Sequence, residues 1–315
     1  MTELSTPTHI VFRDDVVPWR EARVHVWTEV VLRAASVFEG LRGYWNEAEG
    51  RHYWVKLPEH VARLHRSAST MRIPSDLTLE KLVDQLSRLT STLGYTSDIY
   101  ARPTVFLEKG RYTAKSGDGS EYFMPIFESE RPAEITTGLA ACVSSWRRTS
   151  DDSMPSAVKA AANYANFRWA RMEAEADGYD EAILLNASGR VSETGGSAVF
   201  VVRDGLVSTP AVSESILLSI TRQAVIDLLT EDGINVREVG VQRSDLYSAD
   251  EIFLTGTLNE ITPVTSVDRF DIANGQPGPL TRRIQNNYLR ACRAGSADGR
   301  GWLTAGPVVA PSPAS

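Results

Sequence analysis

An α+β fold of two domains is predicted by three features of this 315-residue chain. Runs of aromatic and β-branched residues, which are typical of strands, occur in clusters and do not alternate regularly with helical patterns. A charged stretch interrupted by proline, residues 128–135, separates two apolar segments and has the composition of a linker. The length is sufficient for two domains of ordinary size. We therefore expect a small α+β domain over 1–127, a large α+β domain over 136–304 and a disordered tail over 305–315.

The first domain begins with predicted strands and continues into helices. A proline and an acidic residue in the first turn predict a helix that starts at Leu57. Leucine and valine recur at helical spacing from Leu79 to Leu89, which predicts a second helix. Aromatic and β-branched runs predict strands at 23–27, 37–45 and 99–107, and glycine and polar residues predict a loop at 108–120.

The second domain shows the same two kinds of pattern. The dipeptide Asp204-Gly205 is typical of a hairpin turn. Helices are predicted at 159–176, where alanine is abundant, and at 221–231. Strands are predicted at 139–145, 181–185, 198–203 and 251–254.

Composition limits the function classes. The net charge of −7 argues against a nucleic-acid or anionic-membrane binder, because a surface for phosphates needs an excess of lysine and arginine. No signal peptide and no membrane-spanning run are expected. Cys142 and Cys292 lie far apart in the sequence and are expected to be free thiols. The expectation is a cytoplasmic protein that binds neither nucleic acid nor membrane.

Familiar site motifs are missing from the sequence, but one lysine lies in an unusual setting. There is no dinucleotide fingerprint, Walker loop or nucleophile elbow. The histidines have no thiols or carboxylates at ligand spacing, so no metal site is expected. Lys159 lies among small and apolar residues at 154–164, which disfavour its ammonium form and favour the nucleophilic amine that Schiff-base chemistry needs. Taken alone, the pattern is better explained by an exposed lysine at a helix start.

Three further groups could complete a site for an anionic cofactor. Glu193 ends a strand before two glycines, where its carboxylate could meet a pyridinium nitrogen, although alone it is an ordinary surface acid. Residues 219–222 and 255–259 offer N–H groups and hydroxyls to a phosphate, although a helix cap and a tight turn also explain them. Arg63 could add a bidentate phosphate contact or be a solvated helix charge.

An ordered set of motifs resembles the bacterial branched-chain aminotransferases, which are class IV, fold-type IV enzymes that use pyridoxal 5'-phosphate (PLP). The resemblance extends over residues 8–303. It implies two α+β domains and a homodimer in which a loop of the partner, here 108–119, closes each site. The motifs are SVFEGLR (36–42), EHVARL (59–64), YARP (100–103), KAAANY (159–164), GYDEA (178–182), SE (192–193), ITR (220–222), EIFLTGT (251–257), EITPV (260–264), residues 275–281 and GWL (301–303).

The resemblance implies a transaminase that moves an amino group between an amino acid and a 2-oxo acid, with glutamate and 2-oxoglutarate as one pair. Lys159 corresponds to the lysine that holds the cofactor and moves the proton. The other cofactor residues implied are Tyr164 at the phenolic oxygen, Glu193 at the pyridine nitrogen, Leu217 against the ring, and Arg63, Ile220, Thr221 and Thr257 at the phosphate. The substrate residues implied are Phe38, Tyr100, Arg102, Thr257 and Leu258, with three pocket positions at Arg33, Ile126 and Ser129.

Those three pocket positions depart from the family, which commonly has tyrosine, tryptophan and tyrosine there. Ile126 and Ser129 remove aromatic surface, and Arg33, if it points inward, adds a cation that favours a polar or acidic side chain. We therefore expect a preferred substrate other than leucine, isoleucine and valine. The alternative is that Arg33 points outward or pairs with Glu29. Ala198 also departs from the class pattern, but it keeps the backbone N–H.

The same scaffold leaves other functions open. They are a D-amino-acid transaminase, an (R)-amine transaminase, or a PLP lyase of the aminodeoxychorismate lyase type. A binding or structural protein without catalysis is disfavoured, because the lysine, tyrosine, glutamate, arginine and phosphate-site residues all occur together.

Overall fold

The computed structural model describes residues 5–108 and 119–309. The chain divides into two compact units. Unit 1 comprises Met1–Glu130, Val158–Ala162 and Arg290–Ser315, and unit 2 comprises Arg131–Ala157 and Asn163–Leu289.

This division differs from the predicted domains in two places, although the boundary at Glu130 lies within the predicted linker. Residues 158–162 belong to unit 1, where Ala160 forms an antiparallel bridge with Val37. The residues from Arg290 onward also belong to unit 1, where the last strand pairs with Arg51–Val55. Pairing partners far apart in the sequence set these boundaries, and local composition does not reveal them.

The strands are numbered in chain order. They are β1 His9–Phe12, β2 Asp15–Pro18, β3 Ser36–Phe38, β4 Leu41–Asn46, β5 Arg51–Val55, β6 Ile99–Ala101, β7 Thr104–Leu107, β8 Ser120–Met124, β9 Ile126–Glu128, β10 Leu139–Arg147, β11 Glu181–Leu185, β12 Val191–Thr194, β13 Ala198–Arg203, β14 Leu206–Pro210, β15 Val236–Val239, β16 Glu251–Gly256, β17 Glu260–Val267, β18 Phe270–Asp271 and β19 Leu303–Val308.

The α-helices are also numbered in chain order, and short 3-10 turns occur at Trp19–Glu21, Val212–Glu214 and Gly295–Ala297. No helix in the described ranges is long and apolar enough to cross a membrane. The helices are α1 Glu29–Arg33, α2 Leu57–Thr70, α3 Leu79–Leu93, α4 Glu134–Thr137, α5 Asn163–Ala176, α6 Ile220–Glu231, α7 Arg243–Tyr247 and α8 Pro279–Cys292.

Unit 1 contains two antiparallel five-stranded sheets, ordered β2-β1-β8-β7-β3 and β19-β5-β4-β6-β9. The chain passes from one sheet to the other at Glu39-Gly40, at Arg102-Pro103 and at Pro125. Proline lacks the N–H that a ladder needs, so two of these crossings interrupt strand pairing directly. At the third crossing a Cβ on Gly40 would lie 2.7 Å from the Tyr100 hydroxyl oxygen, so a larger residue would have to displace the buried Tyr100 ring. The predicted strands 37–45 and 99–107 are therefore each divided in two.

Unit 2 is built on one mixed sheet in the order β12-β11-β10-β17-β16-β13-β14-β15, with β18 paired to β17. A further pairing of β12 with β13, between Glu193 and Ala198, closes six of these strands into a ring. An apolar cluster contributed by β10–β13, β16 and β17 fills the core. On another face, Phe167, Ala170 and Ala174 of α5 pack against Cys142, Ala182 and Leu184. Glu193 thus lies at the closure of the ring.

Three predicted elements are corrected by the structure. No strand forms at 23–27, where all five residues are exposed and the segment has no buried face to hold it against a sheet. The helix predicted from Lys159 begins at Asn163, because Ala160 forms an isolated bridge with Val37 and residues 161–162 form a turn. The predicted disordered tail includes residues 305–308, which belong to β19, and residues 310–315 lie outside the described part of the chain.

Several local predictions are confirmed. Helices α2 and α3 begin at Leu57 and Leu79, as the proline and the leucine spacing indicate. Asp204-Gly205 connects β13 to β14 with Arg203 paired to Leu206, and both turn residues have positive φ, 51° and 73°. Cys142 and Cys292 are buried free thiols.

Candidate active site

The backbone of Lys159 in unit 1 is fixed by β3 and α2. The Phe38 N–H donates to the Lys159 carbonyl oxygen at 3.1 Å, and the Ala161 N–H donates to the Ser36 carbonyl oxygen at 3.0 Å. The Lys159 N–H in turn donates to the Ser67 hydroxyl oxygen at 3.2 Å. Since a strand and a helix both hold this segment, the position of the Lys159 side chain is set by the fold and not by a local helix.

The Lys159 amine lies over an aromatic ring that a second cation also covers. Its Nζ is 5.0 Å from the centroid of the buried Phe38 ring, and the central guanidinium carbon of Arg102 is 3.8 Å from the same centroid. The residues on either side, Val158 and Ala160, are buried. Unit 1 therefore brings together three of the predicted site residues: a primary amine, an apolar ring and a guanidinium that could receive a carboxylate.

A buried cluster of Glu39, His60 and Arg63 lies in the same unit. Arg63 donates to Glu39 through Nε to Oε1 at 2.6 Å and through Nη2 to Oε2 at 2.7 Å. His60 Nδ1 is 2.7 Å from Glu39 Oε2. Burial alone would raise the pKa of Glu39, but Arg63 and His60 outweigh it and hold that pKa well below its ordinary value. Glu39 is thus an ionised carboxylate that fixes the Arg63 guanidinium.

His60 completes this cluster as a neutral group. Burial lowers the pKa of His60 below its ordinary value, and together with the positive charges of Arg63 and Lys159 it outweighs Glu39, which raises that pKa. A neutral imidazole next to an ionised carboxylate donates its Nδ1 proton to Glu39. Sequence reasoning missed Glu39, whose position between β3 and β4 carries no local signal except the SVFEGLR motif itself.

Arg33 is placed where the alternative prediction put it. Its Nη1 donates to both carboxylate oxygens of Glu29, at 2.7 and 2.8 Å, one helical turn away on α1. The Arg33 side chain is 45% exposed. The structure therefore does not support an Arg33 side chain that points into the substrate pocket, because its guanidinium is bound by Glu29.

Of the other two altered pocket positions, Ile126 lies on the face of its sheet opposite to Tyr100, and Ser129 follows the end of β9. Ile126 pairs with Ala101, whereas Tyr100 pairs with Phe127, and neighbouring residues of a strand point to opposite faces. Ser129 receives a 2.7 Å hydrogen bond from Nη1 of the buried Arg42, which itself pairs with Tyr100 across β4 and β6. Ser129 and Tyr100 thus share a neighbour, Arg42, and Ile126 belongs to a different set of contacts.

In unit 2, Glu193 is held by two donors. Arg148 Nε donates to Glu193 Oε1 at 2.8 Å, and the Leu217 N–H donates to Oε2 at 3.0 Å. The side chains of Arg148 and Glu193 are 1% and 6% exposed. The predicted residues Glu193 and Leu217 are therefore adjacent, and a buried carboxylate is available to hold a cationic ring nitrogen.

Tyr164 is connected to this carboxylate through an aromatic ring. The Tyr164 and Phe167 rings meet edge to face with centroids 5.3 Å apart, and the Arg148 guanidinium lies 4.6 Å from the Phe167 centroid. Sequence reasoning missed Arg148 and Phe167. The pair Arg147-Arg148 is too short to indicate a basic surface, and only the tertiary structure shows that its second member is buried.

Two further features of unit 2 present groups suited to an anion. Ile220 and Thr221 form the first turn of α6, where the Ser219 hydroxyl accepts the Arg222 N–H at 3.2 Å. Thr257 and Leu258 lie in the turn between β16 and β17. A Cβ on the preceding Gly256 would lie 2.7 Å from the Gly196 carbonyl oxygen, so glycine permits this close approach.

Comparison with known proteins identifies relatives over most of the chain. The family model of amino-transferase class IV matches residues 36–267. A probable branched-chain-amino-acid aminotransferase of Aquifex aeolicus is 38% identical over 295 residues, which is 93% of this chain and 95% of that protein.

Solved structures agree with these sequence matches. The PLP form of the branched-chain amino acid aminotransferase from Thermobaculum terrenum has a TM-score of 0.89 and 38% identity, covering 95% of this chain and 98% of that one. The T.th. branched-chain amino acid aminotransferase complexed with N-(5'-phosphopyridoxyl)-L-glutamate has a TM-score of 0.88 and 32% identity, covering 95% and 98%. The predicted α+β, fold-type IV architecture is confirmed.

Proposed function

Because the chain belongs to the class IV aminotransferases, we propose that it is a PLP-dependent transaminase in which Lys159 holds the cofactor. The observation that carries this proposal is the placement of Lys159, whose backbone is held by β3 and α2 and whose amine lies over the Phe38 ring that Arg102 also covers. PLP bound there would supply an electron sink for loss of the α-proton of an amino acid. The Lys159 amine would take up the proton from the α-carbon and release it to the cofactor, as the 1,3-proton shift of a transamination requires.

The donor set fits PLP. The pyridine nitrogen needs a carboxylate, and Glu193 is buried and held by the Leu217 N–H and by Arg148. Tyr164 is proposed to bind the phenolic oxygen, and Leu217 to pack against the ring. The phosphate is assigned to Arg63, Ile220, Thr221 and Thr257, which offer a guanidinium, a helix N-terminus and a hydroxyl on a turn.

For the substrates, we propose glutamate and 2-oxoglutarate as one pair. The Arg102 guanidinium, close to the same ring as the Lys159 amine, can bind a side-chain carboxylate of a molecule that reacts at Lys159. The N–H groups of Thr257 and Leu258 are proposed for the α-carboxylate, and Phe38 and Tyr100 for the side-chain pocket. The T.th. enzyme complex with a phosphopyridoxyl-glutamate, named above, is in line with this pair.

As the second pair we propose branched-chain amino acids and their 2-oxo acids, which is the activity named for the relatives. This revises the expectation of a polar or acidic donor, because Arg33 pairs with Glu29. A polar donor remains the second candidate because of one observation. Ser129, where the family commonly has tyrosine, contacts the buried Arg42, whose Nε lacks a hydrogen-bond partner in the described residues and whose Nη2 lies 3.8 Å from Asp98 Oδ2.

A panel of amino donors tests this assignment. With 2-oxoglutarate as acceptor, leucine, isoleucine and valine are expected to react faster than serine or aspartate, and no donor is expected to release pyruvate by elimination. Faster reaction of the polar donors would overturn the branched-chain assignment and favour the second candidate. Pyruvate release would indicate a lyase, and preference for D-amino acids or (R)-amines would indicate the transaminases of those substrates.

Ser129→Tyr separates the two candidates at the level of the pocket, with Ser129→Ala as the matched control. If Ser129 limits apolar contact, the added ring should raise kcat/KM for leucine by about tenfold, since ring burial recovers part of a side chain's transfer energy. Ser129→Ala removes the hydroxyl next to Arg42 without adding a ring and should not produce this gain. No change for leucine in Ser129→Tyr would remove Ser129 from the substrate pocket.

We also propose that the active unit is at least a homodimer. The segment that precedes β3 exposes Val26 and Trp27 at 73% and 55%, together with Val31 and Leu32. Apolar residues so close together on a surface are typical of an interface. Residues 109–118 of the loop predicted to reach a partner lie outside the described residues. Active enzyme is expected to sediment as a dimer or larger at assay concentration, and an active monomer would contradict the proposal.

A further inference from the structure

We infer that Arg148 is a positioning residue that keeps the Glu193 carboxylate ionised and correctly oriented toward the pyridine nitrogen of the cofactor. The inference rests on the proposed function of Glu193. It goes beyond it by assigning the charge state and the orientation of that carboxylate to an arginine that has no predicted contact with cofactor or substrate.

The orientation of the Glu193 carboxylate is set by donors on both of its oxygens. One oxygen of Glu193 accepts from Arg148 Nε at 2.8 Å, and the other accepts from the Leu217 N–H at 3.0 Å. Two donors on two different oxygens fix the plane of the carboxylate. A carboxylate oxygen can accept more than one hydrogen bond, so these two contacts are compatible with binding of a protonated ring nitrogen.

The charge of Glu193 is balanced by the buried Arg148 guanidinium. The side chains of Arg148 and Glu193 are almost completely buried, and burial of a carboxylate alone favours its protonated form. A protonated Glu193 could not hold a positive ring nitrogen. In the described residues Glu193 is the acid that forms an ion pair with Arg148, and Arg148 Nη1 has no hydrogen-bond partner there. The guanidinium charge thus acts mainly on Glu193.

Arg148 is itself held in place through its backbone and through an aromatic ring. Its backbone N–H donates to the Leu185 carbonyl oxygen at 2.8 Å, and its guanidinium lies 4.6 Å from the centroid of Phe167. Phe167 in turn supports Tyr164 edge to face. A planar guanidinium can stack on this ring and also donate in its own plane to Glu193, which a lysine ammonium cannot do in the same way. Charge and orientation can therefore be separated by substitution.

Three substitutions test the inference on the PLP-loaded protein. Arg148→Met removes the charge and keeps the bulk, Arg148→Lys keeps the charge and loses the fork, and Arg147→Met at the exposed neighbour is the control. The readouts are the pH midpoint of the cofactor's visible absorbance, the PLP dissociation constant of the apoprotein, and kcat and KM. Thermal unfolding of each apoprotein shows whether it folds.

Arg148→Met is expected to raise the pH midpoint of the cofactor's visible absorbance by about 1 pH unit. Without Arg148, a protonated Glu193 no longer holds a positive charge on the ring nitrogen. The substitution should also lower kcat by about tenfold or more with a smaller change in KM. Arg148→Lys should have a pH midpoint close to that of wild type but only part of the wild-type kcat. Arg147→Met should match wild type in both. If Arg148→Met does not fold, Arg148→Gln replaces it in the same comparison.

A wild-type midpoint and kcat in folded Arg148→Met would overturn the inference. Glu193→Gln, measured beside it, distinguishes this from failure of the proposed function. If Glu193→Gln is impaired and Arg148→Met is not, only the role of Arg148 is wrong. If both behave as wild type, Glu193 does not serve the ring nitrogen and the proposed cofactor site is wrong.

Discussion

Replacement of Lys159 by alanine is expected to lower the transamination rate by about 10⁴-fold or more. The proton-transfer group at the α-carbon alone accounts for 10²–10⁴-fold in typical enzymes, and the covalent attachment of the cofactor is lost as well. The measurement is the steady-state rate with leucine and 2-oxoglutarate at saturating PLP. Lys81→Ala is the matched control, since Lys81 lies on α3 and pairs with Asp14 and Asp76.

The two lysine variants should differ in rate and not in folding. The backbone hydrogen bonds of Lys159, to Phe38 and Ser67, do not depend on its side chain, so Lys159→Ala is expected to fold. A Lys159→Ala protein that turns over within tenfold of Lys81→Ala would show that another group transfers the proton.

Glu39→Gln is expected to lower the free energy of unfolding by about 3–5 kcal/mol at neutral pH, the usual cost of removing one partner of a buried ion pair. Arg63 donates two hydrogen bonds to the carboxylate and His60 contacts it, so the variant leaves a buried guanidinium without its counter-charge. Urea denaturation of the apoprotein measures this. Glu59→Gln on α2, the helix that carries Arg63 and His60, is the control, because Glu59 is 44% exposed and its replacement should cost no more than about 1 kcal/mol.

The Glu39 effect should depend on pH with a definite sign. The pKa of Glu39 in the folded chain lies well below its ordinary value of 4.5, so its contribution is complete above that value and declines as the pH falls below it. The difference between wild type and Glu39→Gln should therefore shrink below about pH 4.5. A difference that is absent at pH 7, or that grows in acid, would show that the Glu39–Arg63 pair does not stabilise the fold. Weaker PLP binding by Glu39→Gln would further support Arg63 as a phosphate ligand.

Much of the fold could be predicted because its signals are local. The proline at the start of α2, the leucine spacing of α3 and the Asp204-Gly205 turn each depend on residues within one element. The class IV family could also be predicted, since its motifs occur in order along the chain. Sequence reasoning was weaker where the chain changes sheets, because the crossings at Glu39-Gly40 and Arg102-Pro103 depend on pairing partners elsewhere.

The candidate site shows the same distinction between local and tertiary signals. Lys159 and Glu193 could be named from motifs, but their supporting contacts join residues far apart in the sequence. Arg63 lies 24 positions from Glu39, and Arg148 lies 45 positions from Glu193. No periodicity indicates such pairs, and burial decides which of Arg147 and Arg148 takes part. Arg33 is a case in which the partner is close in the sequence. Its ion-pair partner, Glu29, lies four residues before it and could be proposed from the sequence alone.

Borohydride reduction of the PLP-loaded protein, followed by peptide mapping, tests the central claim most directly. Reduction should bleach the visible absorbance and fix one phosphopyridoxyl group on the peptide that contains Lys159, because only a covalent carbon–nitrogen bond between the cofactor and an amine is trapped in this way. A fixed group on Lys56 or Lys81, or no fixed group in a protein that transaminates, would contradict the assignment of Lys159 as the cofactor lysine.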